Sequence, residues 1–337
     1  MVIDITDGIE SGKVLVKVLA TNTTSITLLT EEKFNGKVIQ PEATANRSMG
    51  EHGLAMSISV EDNGEKHLFL LDSGGLSQTI VENSKQFGVN LNDVEKFILS
   101  HGHFDHFGGL AGVIPLFNKD TEFVLNPNCF NQNYAAIMKS GEVIPAEDLG
   151  ASLRTLEKEG KLSINKKLPI LSKNMINNLV DQYGIKLIET NEPVKLFKGI
   201  ATSGEIELFD KEEITKGIYI MKSRKEFETN YFRDETSIYI NVKDKGLVVI
   251  TGCGHCGIMN TIKHGQKLTG IAKIYAVIGG FHEEWNPIEK IEEKVKYFEE
   301  LNPEIICGMH CTGFSFNKLM SRHPSHTLGI VGTEFHL

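Results

Sequence analysis

Apolar and polar positions alternate along much of this chain, and the period changes from segment to segment. Residues 14–29 and 54–71 are dense in β-branched and aliphatic side chains, a period-two pattern that predicts strands. The second run stops at Leu71-Asp72-Ser73-Gly74-Gly75. An acidic residue followed by glycines marks a turn and can present a carboxylate to a site. Residues 76–88 carry helical spacing, 92–96 predict a turn or short helix, and 97–100 form a short strand that delivers the chain into His101. The apolar run 110–117 predicts a helix start and 122–125 a strand, so strand and helix alternate. Between about 130 and 200 the pattern shifts to charged, Asn- and Lys-rich segments with helical spacing at 147–159 and 172–183. This stretch reads as an inserted, mainly helical cap on a single domain spanning residues 1–337. Strand character resumes near 185, and 237–242 and 247–250 flank the turn 243–246 as a hairpin.

Three strand-to-loop transitions follow towards the C-terminus. Residues 248–250 run into Thr251-Gly-Cys-Gly-His255-Cys-Gly257, 274–278 into Gly279-Gly-Phe-His282, and 304–306 into Cys307-Gly-Met-His310-Cys-Thr-Gly313. Each places a histidine just beyond a strand end.

Composition narrows the class. The 337 residues, 40% hydrophobic and 23% charged, are those of an ordinary globular chain. A net charge of −9, without clustered Lys and Arg, excludes a nucleic-acid partner. No apolar stretch reaches membrane-spanning length, and the first ten residues lack a basic region followed by an apolar core, which predicts a cytoplasmic location. The five cysteines, 129, 253, 256, 307 and 311, are an odd set, and four lie close to histidines, so metal or packing roles fit better than disulfides.

His101, His103, Asp105 and His106 fall within six residues of predicted loop, where no helix or strand period accounts for them as a core face. Neutral imidazoles and a carboxylate suit zinc, iron, manganese or cobalt, and a two-metal centre needs about this many ligands plus a few from elsewhere. His255 and His310 stand at strand ends that can supply them. His282 has the same context, beside Phe281 and Trp285, and reads equally as ligand, acid–base group or packing residue. Helices predicted to start near Gly109, Gly257 and Gly313 would turn N–H groups towards an anionic substrate. A separate reading takes Cys253, Cys256, Cys307 and Cys311 as a structural zinc or iron–sulfur site.

The run Ser100-His-Gly-His-Phe-Asp-His-Phe-Gly-Gly-Leu110 resembles the signature of the metallo-β-lactamase superfamily. Segments at Glu51–Ala55, Leu70–Gly74, Thr202–Ile206, Asp234-Glu235, Thr251–Gly257, Gly279–His282 and His310–Gly313 narrow the likeness. They look like a subfamily known as dihydropterin-ribofuranosylaminobenzene-phosphate synthase, many of whose members are described as metal-dependent hydrolases. The resemblance implies an α/β fold, a four-layer αββα sandwich. It departs from the superfamily where Phe232-Arg-Asp-Glu-Thr-Ser237 replaces the usual third-histidine motif and Thr251-Gly-Cys253 replaces Thr-Gly-Asp. His255 is then expected to replace one missing ligand, with Asp234 or Cys253 the other.

Together these readings lead to a metal-dependent hydrolase with two divalent ions, zinc first and manganese, iron or magnesium as alternatives. His101, His103 and His255 would hold one ion and Asp105, His106 and His310 the second, with an activated water between them and a phosphoester or other small anionic ester as substrate. Asp72 would orient a ligand histidine, and His282 would donate a proton or bind substrate. The rival is a transferase joining a dihydropterin methyl diphosphate to a ribofuranosylaminobenzene phosphate, with Trp285, Phe281 and Phe104 stacking on the pterin. A third reading is a non-catalytic ligand-binding or sensing member of the fold.

Overall fold

A computed structural model describes residues 2–25, 32–41 and 48–337 of the chain. The strand expected over 14–29 is Val14–Ala20, and positions 26–29 lie outside the described residues. Two large sheets dominate. The first has nine strands in the order Lys186–Glu189, Glu122–Leu125, Lys96–Ile98, Glu65–Leu71, Ala55–Asp62, Val14–Ala20, Glu334–His336, Val38–Ile39 and Glu32–Lys33. The second has six: Lys195–Phe197, Ile200–Thr202, Ile238–Val242, Gly246–Thr251, Ile274–Gly280 and Ile305–Met309.

The sheets face each other across one apolar layer in which Val16, Ile58, Phe69 and Ile98 meet Ile238, Ile250 and Ile278. Outside the nine-stranded sheet, Leu70, Phe97 and Phe123 pack against Ile80, Leu110 and Ile176 of the helices Ser77–Gln86, Leu110–Val113 and Lys173–Tyr183. Outside the six-stranded sheet, Tyr239, Val249 and Val277 pack against Ile262, Phe298 and Phe316 of Ile258–Thr269, Ile288–Leu301 and Gly313–Met320. The result is the expected α/β architecture of four αββα layers. Strands covered on both faces lose the alternation of a half-exposed sheet, which is why Ala55–Asp62 opens with six consecutive buried residues.

The stretch from 130 to 200 differs from its expected mainly helical character. Both expected helices are present, as Ala146–Lys158 and Lys173–Tyr183, the latter capped by Ser172 Oγ on Met175 N. They alternate with strands, and two of these, Asn133–Met138 and Leu162–Lys167, join Ile218–Met221 and Phe227–Thr229 in a separate four-stranded sheet. The lysines and asparagines of Leu162–Lys167 hid a period-two pattern, and half of this sheet comes from chain beyond residue 200. Helix Lys173–Tyr183 and strand Lys186–Glu189 belong instead to the nine-stranded sheet, where Lys186–Glu189 pairs in parallel with Glu122–Leu125. No described helix is long and apolar enough to cross a membrane.

Parallel pairing fixes where chemistry gathers. Gly246–Thr251, Ile274–Gly280 and Ile305–Met309 run side by side, so their C-terminal ends open at one edge. Glu65–Leu71 and Lys96–Ile98, also parallel, deliver Asp72 and His101. Crevices beyond the carboxyl ends of parallel strands are where α/β sheets bind ligands.

Candidate metal centre

The loop after Lys96–Ile98 is held from behind before it presents any histidine. Asp72, fully buried, accepts hydrogen bonds from Ser100 N at 2.7 Å, Ser100 Oγ at 2.7 Å and His106 Nδ1 at 2.7 Å. Asp234 accepts from Gly102 N at 2.8 Å, and Glu235 accepts from His255 N and Cys256 N at 2.8 and 2.6 Å. Thr215 Oγ1 lies 3.1 Å from His255 Nδ1 and Ser100 Oγ 2.9 Å from His101 Nδ1, leaving the Nε2 atoms to point inward. Asp72, His282 and His310 all adopt left-handed backbone, with φ of 60°, 50° and 55°. Non-glycine residues pay for that conformation, and such outliers concentrate at functional sites.

Nε2 of His101 and Nε2 of His255 approach Nδ1 of His103 to 3.1 and 3.0 Å. One ring nitrogen carries at most one proton, so three nitrogens in mutual contact cannot all be satisfied by hydrogen bonds, whereas a shared cation satisfies them together. His103 Nε2 and His310 Nε2 are buried without a hydrogen bond. Asp105 Oδ2 lies 3.2 Å from His310 Nε2, 3.8 Å from His106 Nε2 and 3.5 Å from His52 Nε2. Cys253 Sγ sits 3.1 Å from His106 Nε2 and 3.3 Å from Cys311 Sγ. Four sets of donor atoms therefore fall within ligand range: His101/His103/His255, His101/His106/Cys253, Cys253/His310/Cys311 and His52/Asp105/His310. These donors fit divalent cations that take imidazole, carboxylate and thiolate.

The electrostatics agree. Burial, with neighbouring imidazoles, holds His101 and His255 well below the ordinary histidine range, and burial brings His103 and His310 to about 4. These rings are neutral at pH 7 with lone pairs free to bind. His106 differs: burial is the largest single effect and opposes protonation, but Asp72 and Asp105 together raise it. For Asp105 burial again opposes ionisation and is outweighed by His106 and His310, so its carboxyl lies well below the usual range.

The other expected residues fall into place unevenly. The His282 ring lies 4.2 Å from that of His255, tilted by 45°, and burial takes it to about 3, so it is a neutral hydrogen-bonding group at pH 7 rather than a reservoir of positive charge. Asp234 belongs to none of the four donor sets, while Cys253 belongs to two. The four-cysteine reading is overturned: Cys307 lies in the core between the sheets, and Cys256 packs with Ile206, Ile218 and Phe232. Phe281 is also core, stacked with Phe298, which removes it as a pterin platform. Helix Ile258–Thr269 does not offer a free N-terminus either, because Glu213 Oε2 accepts from Asn260 N at 2.9 Å. Sequence pattern gave no role to His52 or Thr215, and it joined Cys311 to Cys253 only within the four-cysteine set, of which this pair alone is brought together here. His52 stood in the segment Glu51–Ala55 but precedes its strand instead of following one.

A cavity of about 600 Å³ opens over the centre. His52, His103, Asp105, His255, His282 and His310 line its floor, Phe104 and Trp285 flank it, and Ala135, Ile164, Leu168 and Ile218 of the four-stranded sheet and its margin form a wall.

Residues 54–122 match the family model described as the metallo-β-lactamase superfamily. A relative in Methanocaldococcus jannaschii, 7,8-dihydropterin-6-methyl-4-(β-D-ribofuranosyl)-aminobenzene-5'-phosphate synthase, is 34% identical over 270 residues, covering 78% of this chain and 82% of the relative. The chain belongs to the metallo-β-lactamase superfamily. An uncharacterized protein of the same organism is a second relative in sequence, 28% identical over 299 residues, or 88% of this chain and 97% of that protein. Among solved structures, Tm1679, a metal-dependent hydrolase of the β-lactamase superfamily, is similar with a TM-score of 0.67 and 22% identity, over 96% of this chain and 99% of that one. The metallo-β-lactamase fold thus accounts for nearly the whole chain.

Proposed function

We propose that this chain is a cytoplasmic metal-dependent hydrolase that cleaves a phosphoester or another small anionic ester. The observation that carries the reading is the convergence of otherwise unsatisfiable ring nitrogens on the floor of one cavity. His101, His103 and His255 would hold one divalent ion, zinc by preference for this donor set, and Asp105, whose Oδ2 lies 3.2 Å from His310 Nε2 and 3.8 Å from His106 Nε2, would hold the second with those two histidines, Cys253 being grouped with each histidine in turn. Such ions, when bound, bring a water towards its ionised form at neutral pH and offset charge that develops on a phosphoryl group. The chain's own residues do the rest. Asp72 fixes His106 with Nδ1 as donor, so that Nε2 faces the cavity side, and Glu235 fixes the His255 turn through two backbone N–H groups. His282, neutral and on the cavity floor, offers a hydrogen bond to the substrate or its leaving group. The four-stranded sheet, as a cover over one side, limits water around the reacting bond.

A second reading is a synthase acting on a dihydropterin and a ribofuranosylaminobenzene phosphate, the chemistry in the name of the Methanocaldococcus jannaschii relative. It is favoured by two large aromatic side chains left exposed at this cavity, Phe104 and Trp285. A flat heterocycle could stack there. The test is to assay the zinc- or manganese-loaded protein with phosphomonoester, phosphodiester and lactone substrates, and separately with a pterin methyl diphosphate plus the aminobenzene riboside phosphate. Ester turnover that His106→Ala loses together with bound metal supports the hydrolase, and a coupled pterin product supports the synthase. Stoichiometric metal with no turnover in either assay would refute both and leave a ligand-binding member of the fold.

A further inference from the structure

The wall of the cavity opposes one charge to its own pattern. Along Leu162–Lys167 and the residue that follows, Ser163 and Asn165 turn away, donating to Ile137 O and accepting from Tyr134 Oη, while Ile164, Lys166 and Leu168 share the face that lines the cavity. Cross-strand register sets Ile218, Ala135 and Lys166 in one row over three strands. A half-covered strand with Ile164 and Leu168 on its inner face calls for a third apolar residue between them. The chain places an ammonium there instead, next to the small side chain of Ala135. Such departures from local pattern are expected at functional positions.

Lys166 is exposed and has no carboxylate partner among the described residues, in contrast to Lys222 of the adjoining segment, which pairs with Glu228 at 3.2 Å. Among the described residues it is also the one lysine or arginine that lines this cavity, where the acidic residues are Asp105 and Glu284. A cation with no internal partner is held ready for an external anion, and a ligand that fills the cavity displaces the water that would otherwise screen the pair.

We propose that Lys166 is a specificity-determining residue: the substrate carries a second anionic group, remote from the one that meets the metal centre, and Lys166 binds it. The class of ligand is therefore a dianionic or polyanionic ester, with an apolar or aromatic body spanning the 600 Å³ cavity between the metal floor and the sheet wall. The inference rests on the reading of the floor as a phosphate-binding metal centre.

The chain provides its own reporter, because Trp285 is its single tryptophan and lines this cavity. Quenching of its fluorescence in the zinc-loaded protein is titrated with phenyl phosphate and with 4-carboxyphenyl phosphate, which differ by one remote carboxylate. The expected result is a Kd for the carboxylated ligand about two- to fivefold lower in wild type. That ratio falls to about one in Lys166→Ala, is restored in Lys166→Arg and inverts in Lys166→Glu. A purely structural role for Lys166 would move both affinities together and leave the ratio unchanged, which overturns the proposal. Equal affinities in wild type overturn it as well while leaving the metal reading intact. If neither phosphate binds the metal-loaded protein, the reading of the floor fails and the assignment of Lys166 falls with it.

Discussion

Replacing Asp72 by Asn changes one atom type at the back of the centre and should weaken it through a tautomer. Asn tolerates left-handed backbone, so the φ of 60° at this position need not change. Its Oδ1 can still accept from Ser100 N, now at 2.7 Å. Its Nδ2 replaces the oxygen that both Ser100 Oγ and His106 Nδ1 approach to 2.7 Å, and it can only donate. His106 must then accept at Nδ1 and carry its proton on Nε2, the nitrogen 3.1 Å from Cys253 Sγ and 3.8 Å from Asp105 Oδ2. The lone pair needed for a metal is thereby blocked. Restoring it costs one charge-assisted hydrogen bond, about 1.5–3 kcal/mol. This corresponds to a loss of about 10- to 100-fold in metal affinity, the range typical of partners that orient ligand histidines. Competition with a chromophoric chelator measures the affinity, and long-range nitrogen–proton NMR of the imidazoles reports the His106 tautomer. An Asp72→Asn protein with wild-type affinity, or one whose His106 keeps its proton on Nδ1, would refute the reasoning.

Further expectations follow from the same geometry. His106→Ala should lose about one equivalent of metal per chain by elemental analysis, together with catalytic turnover, while circular dichroism stays native. In the cobalt-loaded protein Cys253 should give a thiolate-to-metal charge-transfer band, and Cys253→Ser should abolish it; a band that persists would assign the thiolate elsewhere. Glu283, next to Lys294 at 3.4 Å, is pushed by burial up to about 7, so its favourable contribution is present below the unfolded value near 4.5 and is lost as pH rises through 7. Glu283→Gln should therefore gain up to about 3 kcal/mol over wild type at pH 8 and little at pH 4.5, read from urea denaturation. Parallel pH profiles for the two proteins would contradict this.

How much was legible beforehand depended on whether a residue's role is set by its neighbours in sequence. The run His101–His106 could be read because four donors in six residues fit no helix or strand period, although Asp105 and His106 fall in the one-turn helix Phe104–Phe107 instead of the expected loop. Asp72 could be read because a carboxylate before two glycines at a strand end is a turn that exposes it. His255 and His310 followed from strand ends, since parallel strands in one sheet must finish at one edge. The cysteines were not separable in this way. Cys253, Cys256, Cys307 and Cys311 share the same local context, yet one pair meets at the centre and the other two are core. The missing ligands gave a similar result: Asp234 and Cys253 looked equivalent, and only the packing of Asp234 against Gly102 N set them apart.

By itself the sequence determined the alternation of strands and helices, through local period, and a dense set of metal-ligating side chains in one short run; the four-layer architecture was expected only through the resemblance that run carries. Tertiary structure alone decided which cysteines meet those histidines, that His52 joins them, and what stands over them. Ile218–Met221 pairs with Asn133–Met138 across some eighty residues, and His52 reaches Asp105 from the segment that precedes a separate strand. Short-range pattern encodes periodicity and turns because these depend on adjacent backbone geometry. Contacts between remote segments depend on how whole layers pack, and no local window of the chain contains that information.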